Sequence, residues 1–105
     1  MSKVKEIKVT AKEWFDEVNG NSYFSAIIEV EFKDHSRKKF KIPFQYGYGT
    51  QYEYAAFQKL INEGILNKNC GWETSLSKNC RKNNIKLSRK IIKDCTKKEV
   101  KELAN

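Results

Sequence analysis

Side chains able to do acid–base, nucleophilic or metal chemistry are sparse in this chain: one histidine, His35, and three cysteines, Cys70, Cys80 and Cys95. His35 lies in the polar stretch Lys33–Lys38, between two apolar runs, and reads as an exposed turn residue rather than a general base. The cysteines are odd in number, form no C-x-x-C pair and have nine and fourteen residues between neighbours. Neither a disulfide framework nor a zinc site is written in that spacing. Cys80 and Cys95 read as small buried hydrophobes. The carboxylates are scattered, apart from Glu29 and Glu31 on one face of a strand. No catalytic signature emerges, so a non-enzymatic protein without a cofactor is expected.

Binding chemistry has two better candidates. The first is the run Ile42–Phe57, IPFQYGYGTQYEYAAF, where aromatics flank two glycines just before a helix start. Gly47 and Gly49 allow close backbone approach. The N–H groups of Gln51 and Tyr52 would point out of the helix N-terminus, whose dipole carries roughly half a positive charge. Tyr46 and Tyr48 are placed to stack on a base, an interaction worth about 1–3 kcal/mol in single-strand binders. The competing reading is a structural corner, with Thr50 and Glu53 consuming the amides as a capping box.

The second candidate is basic. The net charge is +8, with ten Lys/Arg against nine Asp/Glu up to Gly64 and eleven against four from Ile65 onward. Lys78, Arg81, Lys82, Lys86, Arg89 and Lys90 are the positions expected to meet a polyanion. On a strand, Lys86 and Lys90 share one face while Arg89 lies on the other, so the charge makes no single stripe.

The elements that must position these groups fit one domain spanning residues 1–105. Asn19-Gly20 is a hairpin signal; with it as a two-residue turn, pairing partners sum to thirty-nine. Phe15 then faces Phe24, Ala11 faces Ile28, Val9 faces Val30 and Ile7 faces Phe32. A rival reading makes Ala11–Val18 a short helix capped by Thr10 and Glu13. Lys39–Phe44 reads as a third strand with Phe40, Ile42 and Phe44 on one face, and Pro43 places it at an edge. The helix Gln51–Glu63 buries Ala56, Phe57, Leu60 and Ile61, with Gly64 as its C-cap. Trp72, Leu76 and Cys80 suggest a weaker helix ending at Asn83-Asn84. Ile85, Leu87 and Ile91 suggest a fourth strand, and Thr96 with Glu99 caps a last helix carrying Val100 and Leu103. The expected fold is α+β: a small twisted antiparallel sheet of about four strands, an N-terminal meander, one main helix on one face and short C-terminal helices.

The run Val9–Leu66 resembles a family of small tailed-phage and prophage proteins to which no activity is assigned. Thr10-Ala11-Lys12, Trp14-Phe15, the segment NGNSYFS at Asn19–Ser25 and PFQYGYG at Pro43–Gly49 carry the resemblance. It implies a phage setting and no reaction. With no secretory leader, no apolar run of about twenty residues and no disulfide pattern, the cytoplasm of the bacterial host is the expected location.

Three functions are expected as alternatives. The first is an accessory protein that binds a host nucleic acid or nucleoprotein, for example an inhibitor of a defence system; a basic chain is no DNA mimic. The second is a small-molecule binder that sequesters a phosphorylated nucleotide at the YGYG turn. The third is a structural or assembly subunit of the phage.

Overall fold

The protein's structure, a computed structural model, describes residues 3–66, 76–82 and 84–103. Cys70 and Trp72 lie outside the described residues. The elements in chain order are β1 (Val4–Asp16), β2 (Asn21–Phe32), β3 (Arg37–Tyr46), α1 (Gln51–Asn62), α2 (Leu76–Lys82), β4 (Lys86–Ile92) and α3 (Lys97–Leu103). The α+β class is as expected. Residues 11–16 belong to the long strand β1, so the helical alternative for Ala11–Val18 is not adopted.

The four strands form one sheet in the order β3-β2-β1-β4. β1, β2 and β3 pair antiparallel, but β4 runs parallel to β1, so the sheet is mixed rather than wholly antiparallel. A parallel neighbour requires a crossover, and the segment from α1 through α2 to β4 provides it.

The hairpin register differs from the sequence expectation by two residues. Val9 pairs with Ile28, Ala11 with Ala26, Glu13 with Phe24 and Phe15 with Ser22. The cause lies in the turn. Asp16 and Asn21 are the last pair, and the Asp16 carboxylate accepts hydrogen bonds from the Val18 N–H (3.0 Å), the Asn19 N–H (3.3 Å) and the Asn19 side-chain amide (2.8 Å). Gly20 is left-handed (φ 69°) and its N–H donates to the Asp16 carbonyl, so the loop holds four residues instead of two. A two-residue slip preserves facing, because side chains alternate with period two.

One face of the sheet carries the main core. Ile7, Val9 and Ala11 of β1 and Phe24, Ala26, Ile28 and Val30 of β2 are buried there under Tyr52, Ala56, Phe57 and Leu60 of α1. Leu76 and Cys80 of α2 join the same cluster. α1 ends as expected at Gly64 (φ 75°), with the Ile65 and Leu66 N–H groups folding back onto the Leu60 carbonyl.

The opposite face carries α3, whose Val100 is fully buried. The Ser25 hydroxyl, between the core-facing Phe24 and Ala26, donates to the Val100 carbonyl. Thr96 and Glu99 form the expected capping box at 3.0 and 3.1 Å.

β3 is an edge strand, as Pro43 suggests. Pro43 and Phe44 together oppose the single residue Ser25, because Phe24 pairs with Gln45 while Ala26 pairs with Ile42. This β-bulge inserts one residue and reverses the facing of the strand beyond it. Phe44 therefore leaves the face of Phe40 and Ile42 and joins the α3 face, contrary to simple alternation.

Candidate functional site

The bulge creates an aromatic row across three strands. Trp14 of β1 pairs in register with Tyr23 of β2, and Tyr23 pairs with Tyr46 of β3. Trp14 and Tyr23 stack at 5.5 Å between ring centroids, and Tyr23 and Phe44 stack at 5.1 Å, 7° from parallel. Tyr46 meets Tyr23 edge-on at 5.9 Å and is 57% exposed. Such offset and edge contacts are the favourable geometries for aromatic pairs.

α3 brings charge to this row. The Lys97 ammonium lies 5.6 Å from the Trp14 ring centroid, and the Lys101 ammonium lies 5.4 Å from that of Phe44. Both are within cation–π range. Residues 97 and 101 are one helical turn apart, which puts both on one face of α3. Among the described residues neither ammonium joins a salt bridge, whereas Lys98 pairs with Glu102.

The YGYG turn is built mostly from its own bonds. The Gly47 N–H donates to the Ser22 carbonyl at 3.0 Å, and a Cβ on Gly47 would run into the Phe24 ring, 2.9 Å from its Cδ1. Gly49 is left-handed (φ 62°) and faces open space. The Tyr48 N–H donates to Gln51 Oε1 at 2.9 Å, and the Gln51 N–H returns a bond to the Tyr48 carbonyl at 3.2 Å. The Gln51 amide expected to cradle an anion is thus committed internally. Thr50 makes no side-chain capping bond, so the Thr50–Glu53 capping box does not form. Tyr52 is buried in the core, where desolvation raises its phenol pKa, while Tyr48 is 62% exposed. Of the residues singled out in this turn, Tyr46 and Tyr48 offer rings to solvent; Gly47, Gly49, Gln51 and Tyr52 shape the turn that holds them.

The basic positions are dispersed. Lys78 and Arg81 are exposed on α2, and Lys82 is its last residue. Lys86 pairs with Glu6 at 3.8 Å on the α3 face. Arg89, opposite Val9 on the core face, reaches Glu53 of α1 at 2.9 Å. Lys90 is exposed and opposite Thr10. Lys86 and Lys90 thus lie on the α3 face and Arg89 on the core face, so the described positions do not converge on one surface.

The far end of the α3 face is ionic. Glu31 binds Lys5 at 3.4 Å and Arg37 at 3.2 Å, and the Lys5 hydrogen bond, aided by both positive charges, holds its carboxyl below the usual glutamate range. His35 occupies the β2–β3 turn in left-handed conformation (φ 71°). The Cys80 thiol is pushed up to about 11 by burial, which makes it a poor nucleophile, and Cys95 donates to the Ile92 carbonyl. Among the described residues, no group of His, Cys, Asp and Glu is arranged to hold a metal, and no helix is long and apolar enough to cross a membrane.

Sequence reasoning missed Trp14, Tyr23, Phe44, Lys97 and Lys101 as a unit. The only signal was weak: aromatics at the ends of successive strands, and lysines four apart. Comparison with known proteins adds no constraint, since no protein-family model, curated protein or solved structure matches the chain.

Proposed function

We propose that this protein is a non-enzymatic phage-type accessory protein that binds single-stranded nucleic acid, free or displayed on a host nucleoprotein, in the bacterial cytoplasm. The phage setting rests on the sequence resemblance. The observation that carries the binding role is the row Trp14–Tyr23–Phe44, with exposed Tyr46 edge-on to Tyr23, flanked by two ammonium groups that join no salt bridge among the described residues. Aromatic rings beside cations match the alternation of bases and phosphates in an unpaired strand. An inhibitor of a host defence complex would use such a face to occupy an exposed guide or displaced strand.

Sequestering a phosphorylated nucleotide at the YGYG turn is less well supported, because the Gln51 N–H is already bonded to Tyr48. The test is fluorescence anisotropy with a labelled oligothymidylate. Binding that weakens with salt at about −0.7 in log–log slope per phosphate engaged, and that Tyr46→Ala weakens with little change of slope, supports the reading. No binding at about 20 mM salt, where screening is slight, refutes it.

A further inference from the structure

We infer that Lys97 and Lys101 are exchangeable plugs: in the free protein they lie over the Trp14 and Phe44 rings, and on binding they move to the phosphates while bases take the rings. This rests on the nucleic-acid reading and specifies how its site works. Three observations converge on it. The two ammonium groups sit at opposite ends of a row whose middle ring, Tyr23, stacks on both neighbours. Neither lysine joins a salt bridge among the described residues, Lys97 acting on the Asp16 carboxylate through its charge alone, and the ammonium–centroid distances are 5.6 and 5.4 Å. The helix beneath them is fixed independently of their side chains, by buried Val100, the Ser25 hydroxyl and the capping box.

The consequence is an ordering of forces. A cation over a half-buried ring is held without a hydrogen bond, whereas an ammonium on a phosphate gains a charge-assisted hydrogen bond and releases a counterion. A polyanion therefore draws the lysines off the rings, and the vacated faces accept bases. Duplex DNA supplies the phosphates but keeps its bases stacked, so the exchange selects unpaired strands. Lys97 and Lys101 are one turn apart, a rise of about 6 Å along the helix, and so address separate phosphates of one strand.

The experiment compares wild type with a Lys97→Met/Lys101→Met double variant, which keeps both apolar stems, across a salt series with labelled oligothymidylate. Exchange predicts crossing lines. The variant's slope is shallower by about 1.4, two phosphates at about 0.7 each. It binds more weakly at low salt and as tightly as wild type, or tighter, at high salt, where the lost phosphate contacts no longer count and no ammonium has to leave a ring. Lys97→Arg/Lys101→Arg restores the steep slope. Parallel lines, with equal loss at every salt, overturn the exchange and leave the lysines as packing for α3.

An independent reading uses Trp14 emission in a Trp72→Phe background. Oligothymidylate must quench it as a base takes the ring; binding seen by anisotropy with unchanged Trp14 emission also overturns the exchange. If wild type binds no oligonucleotide at all, the nucleic-acid reading itself fails and the exchange falls with it.

Discussion

Arg89 of β4 and Glu53 in the first turn of α1 meet at 2.9 Å, tying the last strand to the start of the main helix. That pair draws both residues away from what the sequence suggests for them. Glu53 does not cap its helix, and Arg89 is aimed across the core face rather than along a basic surface. Arg89→Ala should therefore lower stability, by about 1 kcal/mol or less for a part-exposed pair, and leave oligonucleotide affinity unchanged. Urea melts and anisotropy on the same sample check both. A variant of normal stability that binds several-fold more weakly would return Arg89 to the interface.

Gly47 and Gly49 should fail for different reasons. Gly47→Ala presses a methyl group into the Phe24 ring and should cost about 1–3 kcal/mol through overpacking. Gly49→Ala meets no atom but must adopt a left-handed backbone, at a cost of about 1 kcal/mol. Shrinking the obstacle tells them apart. Phe24→Leu, destabilising alone, should lessen the added penalty of Gly47→Ala and not that of Gly49→Ala in a double-mutant cycle.

The three tyrosines around the turn should separate cleanly. Tyr52→Ala removes a buried ring and should cost about 3–5 kcal/mol, as large aromatic truncations do. Tyr46→Ala and Tyr48→Ala remove exposed rings and should leave the melting temperature within a few degrees of wild type. Only the exposed pair should lower affinity without unfolding the protein. A Tyr46→Ala variant that unfolds would make that ring part of the core.

The hairpin turn should respond to acid. Hydrogen bonds from the Asn19 side chain, then from the Asn19 and Val18 N–H groups, hold the Asp16 carboxyl below its ordinary 3.8. A group whose folded pKa is depressed stabilises the fold above its unfolded pKa, and the stabilisation disappears as pH falls through the folded value. Asp16→Ala should accordingly be less stable than wild type at neutral pH, with the difference closing below about pH 4. A difference that persists unchanged at pH 2 would mean that the ionised carboxylate is not what holds this turn.

Much of the scaffold was legible because alternation and turn chemistry are local. The facing of β1 and β2, the Gly64 stop and the Thr96–Glu99 cap could all be read from neighbours in sequence. The register could not. It depends on whether Asn19 and Gly20 form the whole turn, and the Asp16 carboxylate draws four residues into the loop instead. The aromatic row was hidden for a related reason. Trp14, Tyr23 and Phe44 meet only after the true register and the bulge at Pro43–Phe44 are in place, and Lys97 and Lys101 join them only through the placement of α3 on the second face. None of these three leaves a periodic trace.

The position of β1 in the sheet bears on how the chain is made. Its partners on one side come immediately after it, but its partners on the other, Lys86–Ile92, are about eighty residues away. During synthesis the hairpin, β3 and α1 emerge first, and β1 waits with one side of its backbone unpaired. Contacts of such long sequence separation slow folding, and an open strand edge invites pairing with other chains. A ribosome-stalled or truncated product ending before Lys86 should thus be prone to self-association. The segment that supplies β4 and α3 both closes that edge and delivers the two lysines, so the face that carries the aromatic row and its two ammonium groups is completed only after β1, β2, β3 and α1 have left the ribosome.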